Sequence, residues 1–207
     1  MRLLSKKILL ISGVVLILLF YRFFTNEFSF QLPSSTKVMP TPSATLTSIT
    51  GNKKWVLLGD SITIGMGSFN DSNIINNGIS GYQSSAAVGM IDKWLKDYPA
   101  DIYTLNFGTN DNVCNKKGNM ATYIINMRSL VSKLKGLGKT VFIPTVPWTS
   151  RTEFCVEDKN AALEDSVFTD DPNLRGIDAY TLFKNNPSFL NTFDYLHPTK
   201  EGYAALK

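Results

Sequence analysis

Trp55-Val-Leu-Leu-Gly-Asp-Ser61 runs through four apolar residues and stops on a glycine, an acid and a serine. Four consecutive apolar side chains without polar alternation suit a strand buried on both faces, the usual condition in parallel sheets. The Asp-Ser pair that follows suits a helix N-cap, because a short side chain there accepts from unpaired N–H groups of the first turn. A strand that passes into a helix this way opens a βα unit.

The alternation continues downstream. Ile74-Ile75 is a second strand candidate ending in Asn77-Gly78, Ile102–Phe107 is a third ending in Gly108, and Thr140–Ile143 is a fourth. Gly176–Tyr180 is a weaker fifth. Between them, Ala87, Met90, Ile91, Trp94 and Leu95 recur at helical spacing, as do Met120, Tyr123, Ile124, Met127, Val131 and Leu134 before Gly136 and Gly138. Both stripes read as core faces of helices. Strands alternating with helices imply an α/β fold with a mostly parallel sheet covered on both sides. In such sheets ligands bind beyond the carboxyl ends of the strands.

Upstream of Gly51 the character changes. Arg2, Lys6 and Lys7 precede an apolar run from Ile8 to Tyr21, extended by Phe23 and Phe24. Residues 8–24 make about 25 Å of helix, at the short end of a bilayer span. Bulky Tyr21, Arg22, Phe23 and Phe24 stand where signal cleavage needs small residues, so an uncleaved transmembrane anchor is expected; the alternative is a cleaved signal and a secreted domain. The excess of basic residues before the run puts residues 1–7 in the cytoplasm and the rest outside. Nine of the seventeen residues from Ser34 to Thr50 are Ser or Thr, with Pro40 and Pro42 among them. Residues 25–50 therefore read as a solvated tether. The expected organisation is a basic head (1–7), an anchor (8–24), a linker (25–50) and a folded domain (51–207).

Charge narrows the function classes. Arg2, Lys6, Lys7, Arg22 and Lys37 against Glu27 alone account for the whole net charge of +4, so residues 51–207 are neutral. A neutral body lacks the basic footprint of nucleic-acid binding. One histidine and two cysteines, with no C-x-x-C or H-E-x-x-H, leave a zinc site without ligands. Phosphate-cradling glycine loops are absent as well.

Four polar clusters stand at the expected strand ends or near the C-terminus: Gly59-Asp60-Ser61, Asn77-Gly78-Ile79-Ser80-Gly81, Gly108-Thr109-Asn110-Asp111 and Asp194-Tyr195-Leu196-His197. Each alone has a plain reading as a cap, a turn or a structural histidine. Together they supply the parts of an acyl-transfer site. A nucleophilic serine needs a base, and the base needs a partner that fixes its tautomer. His197 is the single imidazole in the chain, and Asp194 lies three residues before it. The developing oxyanion needs preorganised donors; the N–H of Ser61 at a helix start, the N–H of Gly81 and the amide of Asn110 are candidates.

In this order the four clusters resemble the blocks of the SGNH hydrolases, also called the GDSL esterase/lipase family. The resemblance runs over residues 54–207. It implies Ser61 as nucleophile, Gly81 and Asn110 with Ser61 in the oxyanion hole, and Asp194 and His197 as the acid–base pair. Tyr82 departs from the pattern, standing where members often carry Asp, which bears on substrate and not on mechanism. The implied fold is a three-layer α/β/α sandwich, flavodoxin-like. The absence of a G-x-S-x-G elbow agrees that this is not the α/β-hydrolase fold. The implied activity is hydrolysis of carboxylic esters with no metal or organic cofactor.

An extracytoplasmic position favours O-acyl groups on envelope or extracellular glycans. A lysophospholipase, thioesterase or acyltransferase using the same residues is the alternative, and a silent glycan-binding module is the alternative of another class. Cys114 and Cys155 fall in loops leaving the third and fourth strands on one sheet edge, where an oxidising compartment permits a disulfide. Two free thiols remain the alternative, because sequence does not place the Cα atoms within bridging distance.

Overall fold

The computed structural model describes residues 52–111, 114 and 117–207. The head, anchor and tether expected over residues 1–50 lie outside the described residues. Among the described residues no helix is long and apolar enough to cross a membrane.

Four strands form one parallel sheet: β1 (Trp55–Gly59), β2 (Ile74–Gly78), β3 (Ile102–Asn106) and β4 (Thr140–Phe142). Their spatial order is β2-β1-β3-β4. The register sets Gly59 beside Gly78 on one side and Asn106 on the other. Three strands therefore end level, and the loops that follow them gather at one edge. The unbroken apolar runs take the middle, where Val56, Leu57, Leu58, Ile102, Tyr103 and Leu105 are buried. β2, with polar Asn76 and Asn77, takes the edge and is half-buried along its length.

The helices are α1 (Ser61–Gly65), α2 (Ser84–Asp97), α3 (Lys117–Gly136), α4 (Val156–Leu163), α5 (Ala179–Asn185) and α6 (Lys200–Ala205). Parallel crossovers are right-handed. The chain steps outward from β1 to β2 through α1, then returns across β1 to β3 and β4 through α2 and α3. That reversal puts α1 on one face and α2 and α3 on the other. The two expected stripes do pack inward: Ala87, Ile91 and Trp94 on α2, and Tyr123, Met127 and Leu134 on α3, are buried. Trp94 stacks on Phe107 with ring centroids 6.3 Å apart. On the α1 side, the ring of Tyr203 from α6 occupies the space a Cβ on Gly65 would need. The reversal of direction beside β1 is a topological switch point, where ligands bind in open α/β sheets.

The fifth strand expected over Gly176–Tyr180 does not form. Arg175 makes one parallel bridge to Ile143, and Thr145 N donates to Ile177 O at 3.1 Å. Then Asp178 accepts from Thr181 N at 3.1 Å and starts α5. The acid satisfies a free N–H of the first helical turn, so Ala179 and Tyr180 leave the sheet direction.

Candidate active site

Ser61 is the first residue of α1, directly beyond the end of β1. Asp60 caps the helix, its Oδ1 accepting from Ile62 N at 2.9 Å. The short helix lies hard against the sheet end because two glycines allow it. A Cβ on Gly59 would overlap the Thr63 side chain, and one on Gly78 would stand 2.5 Å from Ile64 N and 2.8 Å from Asp60 O. Neither backbone contact can yield without moving α1, and with it Ser61.

The C-terminal loop brings His197 and Asp194 to that serine. Ser61 Oγ and His197 Nε2 are 2.9 Å apart, and His197 Nδ1 lies 2.7 Å from Asp194 Oδ2. A carboxylate only accepts, so Nδ1 carries the proton and Nε2 is left to accept from the serine hydroxyl. Asp194 Oδ1 accepts from the backbone N–H groups of Leu196 and His197, each at 3.0 Å. Partial burial pushes the Asp194 carboxyl up, but the His197 ring and these two N–H groups outweigh it and hold it below the ordinary carboxylate range. The loop stays relatively open, with the side chains of His197 and Asp194 37% and 28% exposed. Backbone ties hold its shape: Asn191 N donates to His197 O and Tyr195 N to Asn191 O, both at 2.8 Å. The Thr149 hydroxyl donates to Tyr195 O, across a residue whose φ is +52°.

The other candidate donors come from the loops after β2 and β3. Gly81 has a φ of +73°, and nothing stands within 4 Å of where its Cβ would be. Its backbone can approach a ligand that a side chain would block. The amide of Asn110 donates to Tyr82 O at 3.1 Å and, less closely, to Asp60 Oδ2 at 3.3 Å. Gln83 Nε2 donates to Asn110 O at 3.0 Å. Both Asn110 donor hydrogens thus have acceptors, and the longer bond to Asp60 is the one an arriving oxyanion would exchange most readily. Asp111, next in line, accepts from Ser84 N and Ser84 Oγ.

Beneath this surface lies a buried polar layer that the sequence reading did not weigh. Asp60, Thr63, Ser84, Thr109, Asp111 and Lys159 are all buried. Burial pushes the Asp60 carboxyl up to about 6, against hydrogen bonds from Ile62 N and the Thr109 hydroxyl. Lys159 sits on α4; the signal for its burial is its place between Val156 and Leu163 on the buried stripe of the helix. Cys114 and Cys155 are joined through their sulfurs, with Cα atoms 5.6 Å apart. The bridge ties the start of α4 to the segment that follows Asp111. Among the described residues, no group of three or more His, Cys, Asp or Glu side chains is arranged to hold a metal ion.

Comparison with known proteins meets this geometry from another direction. The family model for GDSL-like lipase/acylhydrolase proteins matches residues 57–205. An acetylxylan esterase from Geobacillus stearothermophilus superposes with a TM-score of 0.61 at 18% identity, over 76% of this chain and 92% of that one. A lipase/acylhydrolase from Enterococcus faecalis superposes with a TM-score of 0.56 at 21% identity, over 74% of this chain and 91% of that one. At such identities the structural likeness speaks for the fold alone. No curated protein matches the sequence.

Proposed function

Because the chain belongs to the GDSL-like lipase/acylhydrolase family and is an ester-bond hydrolase, we propose that it works as a serine esterase on O-acyl groups of envelope or extracellular glycans. The observation that carries the mechanism is the hydrogen-bonded row Ser61–His197–Asp194, with its 2.9 Å and 2.7 Å contacts. Ser61 Oγ attacks the ester carbonyl while His197 Nε2 takes its proton, and Asp194 orients and stabilises the imidazolium. The N–H groups of Ser61 and Gly81 and the amide of Asn110 receive the developing oxyanion. His197 then returns the proton to the leaving alcohol. A water deprotonated by the same ring releases the acid and restores Ser61. No step needs a metal or an organic cofactor.

The glycan assignment rests on position. An anchor over residues 8–24 would hold the domain outside the cytoplasm on the 25–50 tether, facing surface polymers. The Cys114–Cys155 bridge supports that placement, since disulfides persist in oxidising compartments. The acetylxylan esterase named above, which shares the fold, acts on an acetylated glycan by its own name.

Two measurements test the reading. A fluorophosphonate should add one label to the wild-type protein, seen by intact mass, and none to Ser61→Ala; equal labelling of both would dismiss Ser61 as nucleophile. Initial rates on acetylated oligosaccharides, lysophospholipids and acyl thioesters should be highest on the first. Preference for either of the others would replace the glycan assignment while leaving the triad intact.

A further inference from the structure

Lys159 carries a charge in a place where charge is costly. It is 1% exposed, and lysines are almost never fully buried unless paired. Taking an ammonium out of water costs several kcal/mol unless neighbours compensate. Its one hydrogen bond among the described residues is a long one, Nζ to Thr109 O at 3.4 Å. Two buried carboxylates act on it, Asp111 and Asp60. Burial nevertheless draws the ammonium down to about 8. The triad makes no use of this group.

Its neighbours trace a short path to the oxyanion hole. Thr109, whose carbonyl receives the lysine, donates its hydroxyl to Asp60. Asp60 accepts the Asn110 amide and caps α1. Asp111 holds Ser84 at the start of α2. The ammonium is itself placed by fixed attachments of α4. Asn160, the next residue, clamps the Val146 backbone through Val146 N at 2.8 Å and Val146 O at 2.9 Å. The disulfide secures Cys155, whose carbonyl accepts from Lys159 N at 3.1 Å. A group held from both sides in this way is preorganised.

We propose that Lys159 is a positioning residue for the reaction: by holding the Thr109 carbonyl, its ammonium keeps the next residue's amide, that of Asn110, aimed at the oxyanion. The Thr109 carbonyl belongs to the peptide that joins Thr109 to Asn110, so the hydrogen bond from Lys159 ties down the backbone from which the Asn110 amide projects. Without the ammonium that peptide loses its tie, and the amide swings with it. The inference rests on Asn110 serving as an oxyanion donor.

A double-mutant cycle on the purified enzyme separates this role from simple support of the fold. Asn110→Ala alone should lower kcat by about a hundred- to a thousandfold. Lys159→Met alone should lower kcat at least tenfold with KM within twofold. Added to Asn110→Ala, Lys159→Met should change kcat by less than twofold, because a residue acting through Asn110 has nothing left to act on. Equal losses in both backgrounds, or a lower Tm with unchanged kcat, would overturn the proposal. If Asn110→Ala keeps full kcat, the oxyanion reading fails first and separately. Should Lys159→Met not fold, Lys159→Met combined with Asp111→Asn removes opposite charges together, which is far less disruptive than stranding one. It should fold and still show the kcat loss, and wild-type kcat in it would overturn the proposal.

Discussion

Asp60 and Asp194 belong to the same site, one next to Ser61 and the other three residues before His197, yet their surroundings push them in opposite directions. Asp60 is 1% exposed at the end of the central strand, and burial raises it to about 6. Asp194 stands on an open loop, and its hydrogen bonds hold it below the ordinary range although partial burial opposes them. The Ser61 half of the site is built into the sheet, where backbone meets backbone and each polar group must be compensated. The His197 half is a loop near the C-terminus, solvated and held by a few ties. Damage to the first half should therefore register in stability, and damage to the second in rate.

The largest expected effect lies in the loop. Asp194→Asn should lower kcat by about 10⁴-fold, because an amide in place of the carboxylate stabilises the wrong imidazole tautomer. Its thermal unfolding should stay near wild type, as the site is open to solvent. A large fall in Tm alongside the lost activity would break the division between the halves.

Next comes the bridge that joins α4 to the Asn110 side. Replacing Cys114 and Cys155 with serine removes a cross-link between residues 41 apart, worth about 4 kcal/mol in the chain-entropy model. Urea unfolding of the double variant against the oxidised wild type measures it. Equal stabilities would mean that the bridge constrains neither the fold nor the loop.

Asp60 gives a dependence on pH whose sign is fixed by its environment. Its folded value of about 6 lies above the unfolded value near 3.8, so the folded protein binds more protons between those limits. Stability contributed by this group is full below about 4 and is lost as the pH rises through about 6. Relative to Asp60→Asn, the wild type should lose up to about 3 kcal/mol over that window, read from urea midpoints at successive pH values. Asp194 runs the other way: its contribution is present above the ordinary carboxylate value and disappears as the pH falls through its lowered folded value. A flat difference curve for Asp60→Asn would show that Lys159 and the hydrogen bonds compensate the buried charge fully.

The smallest effect belongs to Phe193, 92% exposed beside Asp194. Phe193→Ala should change stability by no more than about 0.5 kcal/mol in a chemical-denaturation curve. A larger loss would mean the loop is packed more firmly than its exposure suggests.

Much of this was legible in the residues. Trp55–Leu58 and Ile102–Phe107 announce buried strands by apolar runs, and the helical stripes through Trp94 and Met127 pack where their spacing puts them. Ser61, Gly81, Asn110, Asp194 and His197 stand out because cluster type and order carry the chemistry. Gly176–Tyr180 reads as a weak strand because Ile177, Ala179 and Tyr180 weigh the same in either direction until Asp178 acts as a cap. Lys159 went unweighed because burial of a charge is a property of the surroundings.

The sequence by itself determined the alternation of strands and helices, the set of candidate reacting groups and the neutral character of the body, since these depend on local spacing and on side-chain chemistry. Only the tertiary structure decided that Ser61 and His197, 136 residues apart, meet at 2.9 Å. It alone decided that Asn110 shares its amide between Tyr82 and Asp60, and that a lysine lies buried against the Thr109 carbonyl. Distances between remote residues and the solvent around a charge are set by how the layers pack, and no local pattern in the chain encodes them.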